Sequence, residues 1–221
     1  MAALVVIQLV TVVDLTMLLP LGPDLLAPLG VDAARLPLLI VAGALSAALA
    51  GLLGGGWLER APRRRTMVGL LLALAAAGIG AAGAEGFGGV FLARLCAGAA
   101  GGQAGALGLV VLSEAVPESR RGRAVGAVMA ANGLAAIGGV PLGLWLAQTL
   151  GWRAPFGLIT LGAVLAALIS AWAIPSSAAR PAPLGSRFAP VAMPTARRAL
   201  ALGFLVAAAS TLLTPNLSAF V

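Results

Sequence analysis

Seven apolar runs set the rhythm of this chain, at roughly residues 3–21, 37–57, 67–84, 89–112, 124–148, 155–174 and 199–219. Each is close to the ~20 residues that carry an α-helix across a bilayer. Between them lie shorter stretches with proline, glycine or charge: 22–36, 58–66, 85–88, 113–123, 149–154 and 175–198. The pattern predicts an all-α, polytopic membrane helical bundle. The last stretch differs from the others, because it holds Pro175, Pro181, Pro183, Pro190 and Pro194 among small residues and arginines. Such a composition neither packs a core nor continues a helix, so it reads as a linker. The organisation expected is a six-helix domain over 1–174, a linker over 175–198, and a seventh membrane helix over 199–221 that starts something further. "GGWL" (55–58) closes the second run and "GLWL" (143–146) closes the fifth. Those ends face opposite sides of the membrane, as an inverted three-plus-three repeat requires.

Composition agrees with a lipid solvent. The chain has 221 residues, is 61% hydrophobic and 10% charged, and has a mean hydropathy of +1.06. A soluble domain carries about 25% charge. Net charge is +7, yet the basic residues fall in short stretches between apolar runs. A nucleic-acid surface needs a solvated basic face with interleaved aromatics, which this chain lacks, so no nucleic-acid partner is expected. There is no histidine, and the acids are scattered, so no metal site and no cofactor are expected. Cys96 is the single cysteine and has no internal disulfide partner. The first run lacks a basic start or a clear small-residue cleavage site, which makes it a retained span rather than a signal peptide.

Arginine placement orients the spans. Segments 58–66, 113–123 and 175–198 hold four, three and four arginines, whereas the opposite segments hold only Arg35 and Arg153. This bias puts the first set in the cytoplasm. The N-terminus is then cytoplasmic, and Val221 is on the periplasmic or extracellular side.

Polar residues inside the spans are informative because each is costly in lipid unless partnered or hydrated. Gln8, Thr11 and Asp14 follow one another at three-residue spacing on the first span; Arg94 and Gln103 lie in the fourth, and Asn132 in the fifth. At 1.5 Å per residue, Asp14 is about 16 Å from the cytoplasmic side and Arg94 about 22 Å. The arginine side chain can cover that difference, so the two are expected to face a common water-filled cavity and to influence each other's charge. The alternative is a static buried pair, or two residues that snorkel. Glycines also recur at four-residue spacing, as Gly51 and Gly55, Gly98 and Gly102, Gly101 and Gly105, and Gly139 and Gly143. These read as packing faces.

Five stretches, in order, resemble a known family. "GGWLERAPRRR" (55–65) is similar to the loop 2–3 signature of the major facilitator superfamily. "RLCAGAAGG" (94–102) resembles its span-four motif, "PESRRGRA" (117–124) its usual start of span five, and "GGVPLGLWLAQTLGWRAPF" (138–156) its span-five antiporter motif and exit. "PLGPDL" after the first span fits as well. The chain resembles the N-terminal half, plus the seventh span, of a transporter in the drug and sugar-efflux branch that includes arabinose-efflux-like permeases. Glu59 stands where that signature usually has aspartate and Pro62 where it has glycine. The usual Gly-Pro of span five reads Gly139-Val140, with Pro141 displaced by one.

The resemblance implies a bacterial inner-membrane protein that exports small organic molecules, coupled to protons, by alternating access. Its length implies a truncated or half-size permease. Its partners would be membrane lipid, a small-molecule substrate, and a second copy, a separate C-terminal half or a larger membrane complex. Asp14 and Arg94 are the candidates for proton or substrate coupling, and Gln8, Thr11, Gln103 and Asn132 for lining the cavity. Gly55, Glu59, Arg60, Arg63, Arg64 and Glu114 would form a conformational gate at the cytoplasmic side. Gly139, Pro141 and Gly143 mark a bend in span five. The competing expectation is a non-transporting accessory or scaffold subunit of a larger complex that keeps the transporter's framework. An enzyme is not expected: there is no phosphate-binding loop, no paired catalytic carboxylates, and no base beside Ser113 and Glu114.

Overall fold

The computed structural model describes residues 2–17, 21, 28–30 and 35–175. They form helices α1 (Ala2–Thr16), α2 (Leu36–Arg60), α3 (Arg63–Ala82), α4 (Phe87–Ala115), α5 (Glu118–Leu134), α6 (Val140–Leu150) and α7 (Ala154–Ala173). A π-helical turn, Ala135–Gly139, joins α5 to α6, so these two make a single crossing. Among the described residues, five stretches are long and apolar enough to cross a membrane: Leu36–Gly54, Arg63–Ala82, Phe87–Ala115, Glu118–Leu150 and Ala154–Ala173. α1 is a shorter apolar helix. With Pro175 excepted, the expected linker over 175–198 and the seventh helix over 199–221 lie outside the described residues, as does most of "PLGPDL".

The connections are tighter than the charge pattern suggests. The turn expected over 58–66 shrinks to Ala61 and Pro62, and the one over 113–123 to Val116 and Pro117. Arg60 therefore ends α2, Arg63, Arg64 and Arg65 open α3, and Arg120, Arg121 and Arg123 lie on α5. The physical reason is that arginine is a good helix former, while proline fits just ahead of a helix, where its missing N–H costs nothing. Pro62 and Pro117 are the N-caps of α3 and α5.

Leu4 and Ile7, near the start of α1, pack with Leu107 and Leu112, near the end of α4, while Asp14 near the end of α1 meets Arg94 near the start of α4, so the first and fourth crossings run in opposite directions. Packing obeys that relation. α2 packs on α4 as the fifth crossing packs on α1; α3 packs on α4 as α7 packs on α1; and α3 and α7 pack on each other. Exchanging the first three crossings for the last three carries each of these pairs onto another, as an inverted repeat demands, although the α6–α7 contact has no equally extensive counterpart between α2 and α3.

The core is layered. One end is filled by Leu4, Ile7, Met67, Leu71, Leu107, Leu112 and Val128, and the other by Met17, Leu39, Val90, Phe156 and Ile159. The waist between them is built of Ala75, Ala77, Ala97, Ala100 and Ala163 around Leu74. Small side chains at the waist let backbones approach, where dispersion drives helix association in lipid. The outer faces stay apolar: Leu45, Leu52 and Leu53 of α2 and Leu161, Leu168 and Trp172 of α7 are exposed. Contiguous apolar surface of this kind belongs against lipid tails rather than water.

Glycine contacts sort the four sequence pairs. A Cβ on Gly98 would run into the Gly43 carbonyl of α2, and one on Gly102 would lie 2.7 Å from the Ala47 Cβ. One on Gly139 would lie 2.5 Å from Val13, and one on Gly143 2.6 Å from Met17, both on or just beyond α1. Those two pairs are close-approach faces. Gly101 and Gly105 have ordinary van der Waals room, and Gly51 has nothing near it among the described residues. The stripe that α2 offers to α4 is Gly43, Ala47 and Gly54.

Candidate functional site: a buried ion pair and an arginine clamp

Asp14 sits near the end of α1 and Arg94 two turns into α4. Arg94 Nη1 donates to Asp14 Oδ1 at 2.7 Å, with the two side chains 3% and 5% exposed. Gly43 on α2 makes room for the guanidinium: a Cβ there would lie 3.1 Å from Nη2. Arg94 Nε is buried with no hydrogen-bond partner among the described residues. Described residues of the bundle cover both side chains. An ion pair in such surroundings is no cheaper than an apolar pair of the same size, and removing one partner leaves a bare charge in a low-dielectric interior.

Thr11, one turn before Asp14, is buried and donates its hydroxyl to the Gln8 carbonyl at 3.1 Å. Both residues lie against Gly105 of α4, with an added Cβ 3.8 Å from Gln8 Oε1 and 3.9 Å from Thr11 Oγ1. Gln8 and Thr11 thus share the α1–α4 seam with the ion pair. Gln103 does not join them. Its Nε2 donates to the Ala50 carbonyl of α2, beside Gly54, so it binds α2 to α4. Asn132 on α5 places Nδ2 3.9 Å from Met129 Sδ, and its Oδ1 is buried without a partner among the described residues.

At the opposite end of the α2–α4 seam, Arg63 makes two bonds. Nη1 donates to the Leu58 carbonyl at 2.8 Å and Nη2 to Glu114 Oε1 at 3.0 Å. The last carbonyls of a helix have no partner within it, so Arg63 satisfies one of α2 while binding the end of α4. Its side chain is 11% exposed, and that of Glu114 47%. Arg64 is exposed. Gly55, Glu59 and Arg60 occupy the last two turns of α2; their side chains lie outside the described residues. The Leu58 carbonyl has no signature in sequence, because any residue supplies one. Gly43 did have one, as a small residue four before Ala47, but thirty glycines hide it.

The span-five residues meet α1. The π-turn ends at Gly139, and Pro141 comes next but one, at the start of α6. Proline has no N–H for the carbonyl four residues back and clashes with it in a regular helix. Widening the turn ahead of it resolves both problems.

Similarity to known proteins bears on this arrangement. The sequence model of the Major Facilitator Superfamily matches residues 4–221. The chain is 34% identical over 205 residues to a chloramphenicol resistance protein of Streptomyces lividans, covering 88% of this chain and 51% of that one. It is 30% identical over 139 residues to the uncharacterized MFS-type transporter YfhI of Bacillus subtilis, covering 63% and 35%. Among solved structures, a mutant of the peptide transporter POT in complex with sulfate superposes with a TM-score of 0.66 at 17% identity. That match covers 93% of this chain and 45% of the other. The chain therefore spans about half the length of the Streptomyces relative and of the structural neighbour.

Proposed function

The chain belongs to the major facilitator superfamily, and we propose from that premise that it serves secondary active transport: proton-coupled efflux of small organic molecules by alternating access. The observation that carries this reading is the Asp14–Arg94 pair, buried at 2.7 Å inside a bundle of apolar helices. Packing does not need it, since an apolar pair of equal volume would hold α1 to α4 as well or better. Ionisable residues within membrane segments mark substrate and proton pathways. Asp14 is the proton acceptor in this scheme, and Arg94 reads its charge. Protonation of Asp14 frees Arg94 to swing, and loosens α1 from α4 when the bundle rocks. The Arg63–Glu114 contact is the cytoplasmic gate, exposed enough to break at low cost.

The test uses inverted membrane vesicles containing the full chain, energised to an acidic interior. Chloramphenicol is the first probe, chosen for the resistance that the Streptomyces relative is named for. Accumulation that collapses with the gradient and falls at least about tenfold in Asp14→Asn, the equivalent of ~1.4 kcal/mol, supports the proposal. Unchanged accumulation in Asp14→Asn removes proton coupling through this pair. Stoichiometric co-purification with an unrelated membrane complex, without any gradient-driven flux, overturns the transport reading in favour of an accessory subunit.

A further inference from the structure

A groove of about 610 Å³ opens at the start of the fifth crossing, lined by Val116, Pro117, Arg120, Arg123, Ala124 and Ala127. We propose that it holds one anionic phospholipid, with the phosphate between Arg120 and Arg123 and an acyl chain along α5. Charge, depth and the shape of the helix surface carry this.

Charge comes first. Among the described residues the ion pairs are Arg63–Glu114 and Arg94–Asp14, so Arg120 and Arg123 pair with no described carboxylate. They lie three residues apart and so project from one side of the helix. Their neighbour Arg121 is otherwise engaged, with Nε donating at 3.3 Å to the carbonyl of Val116, one of the residues that line the groove.

Depth agrees with charge. The crossing Glu118–Leu150 has 33 residues, about 50 Å at helical rise, against a hydrocarbon core of ~30 Å. Its first turns therefore stand at headgroup level, where arginines meet lipid phosphates.

The helix surface beyond the arginines suits an acyl chain. Ala127, Ala130 and Leu134 continue the Arg120–Arg123 stripe at three- and four-residue steps, all exposed, and Ile137 is exposed beyond them. Alanines leave a shallow furrow between larger neighbours. From Arg123 to Leu134 it runs about 16 Å, the apolar depth of one leaflet. A soluble phosphate compound would use the arginines and leave the furrow empty; a phospholipid fills both. The proposal is independent of what the protein transports.

The experiment is native mass spectrometry of the full chain in detergent, titrated with dioleoyl phosphatidylglycerol, dioleoyl phosphatidylcholine or glycerol 3-phosphate. One phosphatidylglycerol should bind in preference to phosphatidylcholine. Arg120→Gln with Arg123→Gln should weaken it by roughly thirtyfold, while Arg64→Gln with Arg65→Gln, an equal loss of charge, should change it little. Ala127→Leu with Ala130→Leu keeps the arginines and blocks the furrow, and should also release the lipid; this pair carries the test if the arginine variant does not fold. Equal lipid retention in both groove variants overturns the proposal. So does equal loss in the Arg64/Arg65 variant, which would mean a diffuse field, or glycerol 3-phosphate competing as well as the intact lipid, which would mean a soluble-anion site.

Discussion

Asp14 and Arg94 are each expensive in a bilayer and far less so together, and this sets what single substitutions should do. Asp14→Asn or Arg94→Met leaves one buried charge without its partner, at a cost of about 3–5 kcal/mol. The double variant should cost clearly less than the sum, because no bare charge remains. Chemical unfolding in detergent measures all three, and additive costs would mean that the two side chains do not act as a pair. Glycine gives a second residue-scale contrast. Gly98→Val has nowhere to put its side chain against the Gly43 carbonyl, so it should destabilise by about 1–3 kcal/mol or more. Gly51→Val meets no described residue and should be near neutral. A thermal shift of equal size in both would contradict the close α2–α4 approach.

Helix ends and one irregular turn carry the element-scale behaviour. Arg63 holds two partners, and substitutions separate them. Glu114→Gln removes the charge pair and leaves the bond to the Leu58 carbonyl; on a group this exposed it should cost less than about 1 kcal/mol. Arg63→Gln loses both and should cost more. If the clamp is a gate, both variants also shift the protein between inward- and outward-open forms, read as altered labelling of cysteines placed on either side. The π-turn is the other device. Pro141 is exposed, so Pro141→Ala removes little packing while restoring a backbone donor. Yield and membrane insertion should stay the same, and turnover should fall by about tenfold, ~1.4 kcal/mol on the barrier, with KM little changed. A variant that keeps full turnover shows that the widened turn is not a working part.

For the whole molecule, the arginine bias predicts that the turns at Ala61–Pro62 and Val116–Pro117 lie on the cytoplasmic side, and fusions test that orientation. Alkaline phosphatase fused after Pro62 or Pro117 should be inactive, and after Gly86 or Gly151 active. The reverse pattern would invert every depth assigned to Asp14 and Arg94. The layered core fits a bundle that rocks as a unit: large side chains fill both ends, while the alanine waist holds the helices close at the level where the ion pair begins.

Much of this was legible in the chain because the bilayer fixes helix length and a helix fixes rise per residue. Those two constants gave the spans and the similar depths of Asp14 and Arg94, and arginine counting gave an orientation that the fusions will test. Rotation about each helix axis was not legible. These spans are apolar nearly all round, so no polar face announces which side meets a neighbour, unlike a helix at a water boundary. Only packing shows that Gln103 turns to α2 while Gln8 and Thr11 turn to α4, or that Gly98 is in contact while Gly51 meets no described residue. The turn lengths were hidden for a related reason: arginines mark where the membrane ends, not where the helix does. What the sequence determined is position along the membrane normal, which depends on each segment and its solvent. What the tertiary structure decided is direction within the membrane plane, which depends on the shapes of neighbouring helices.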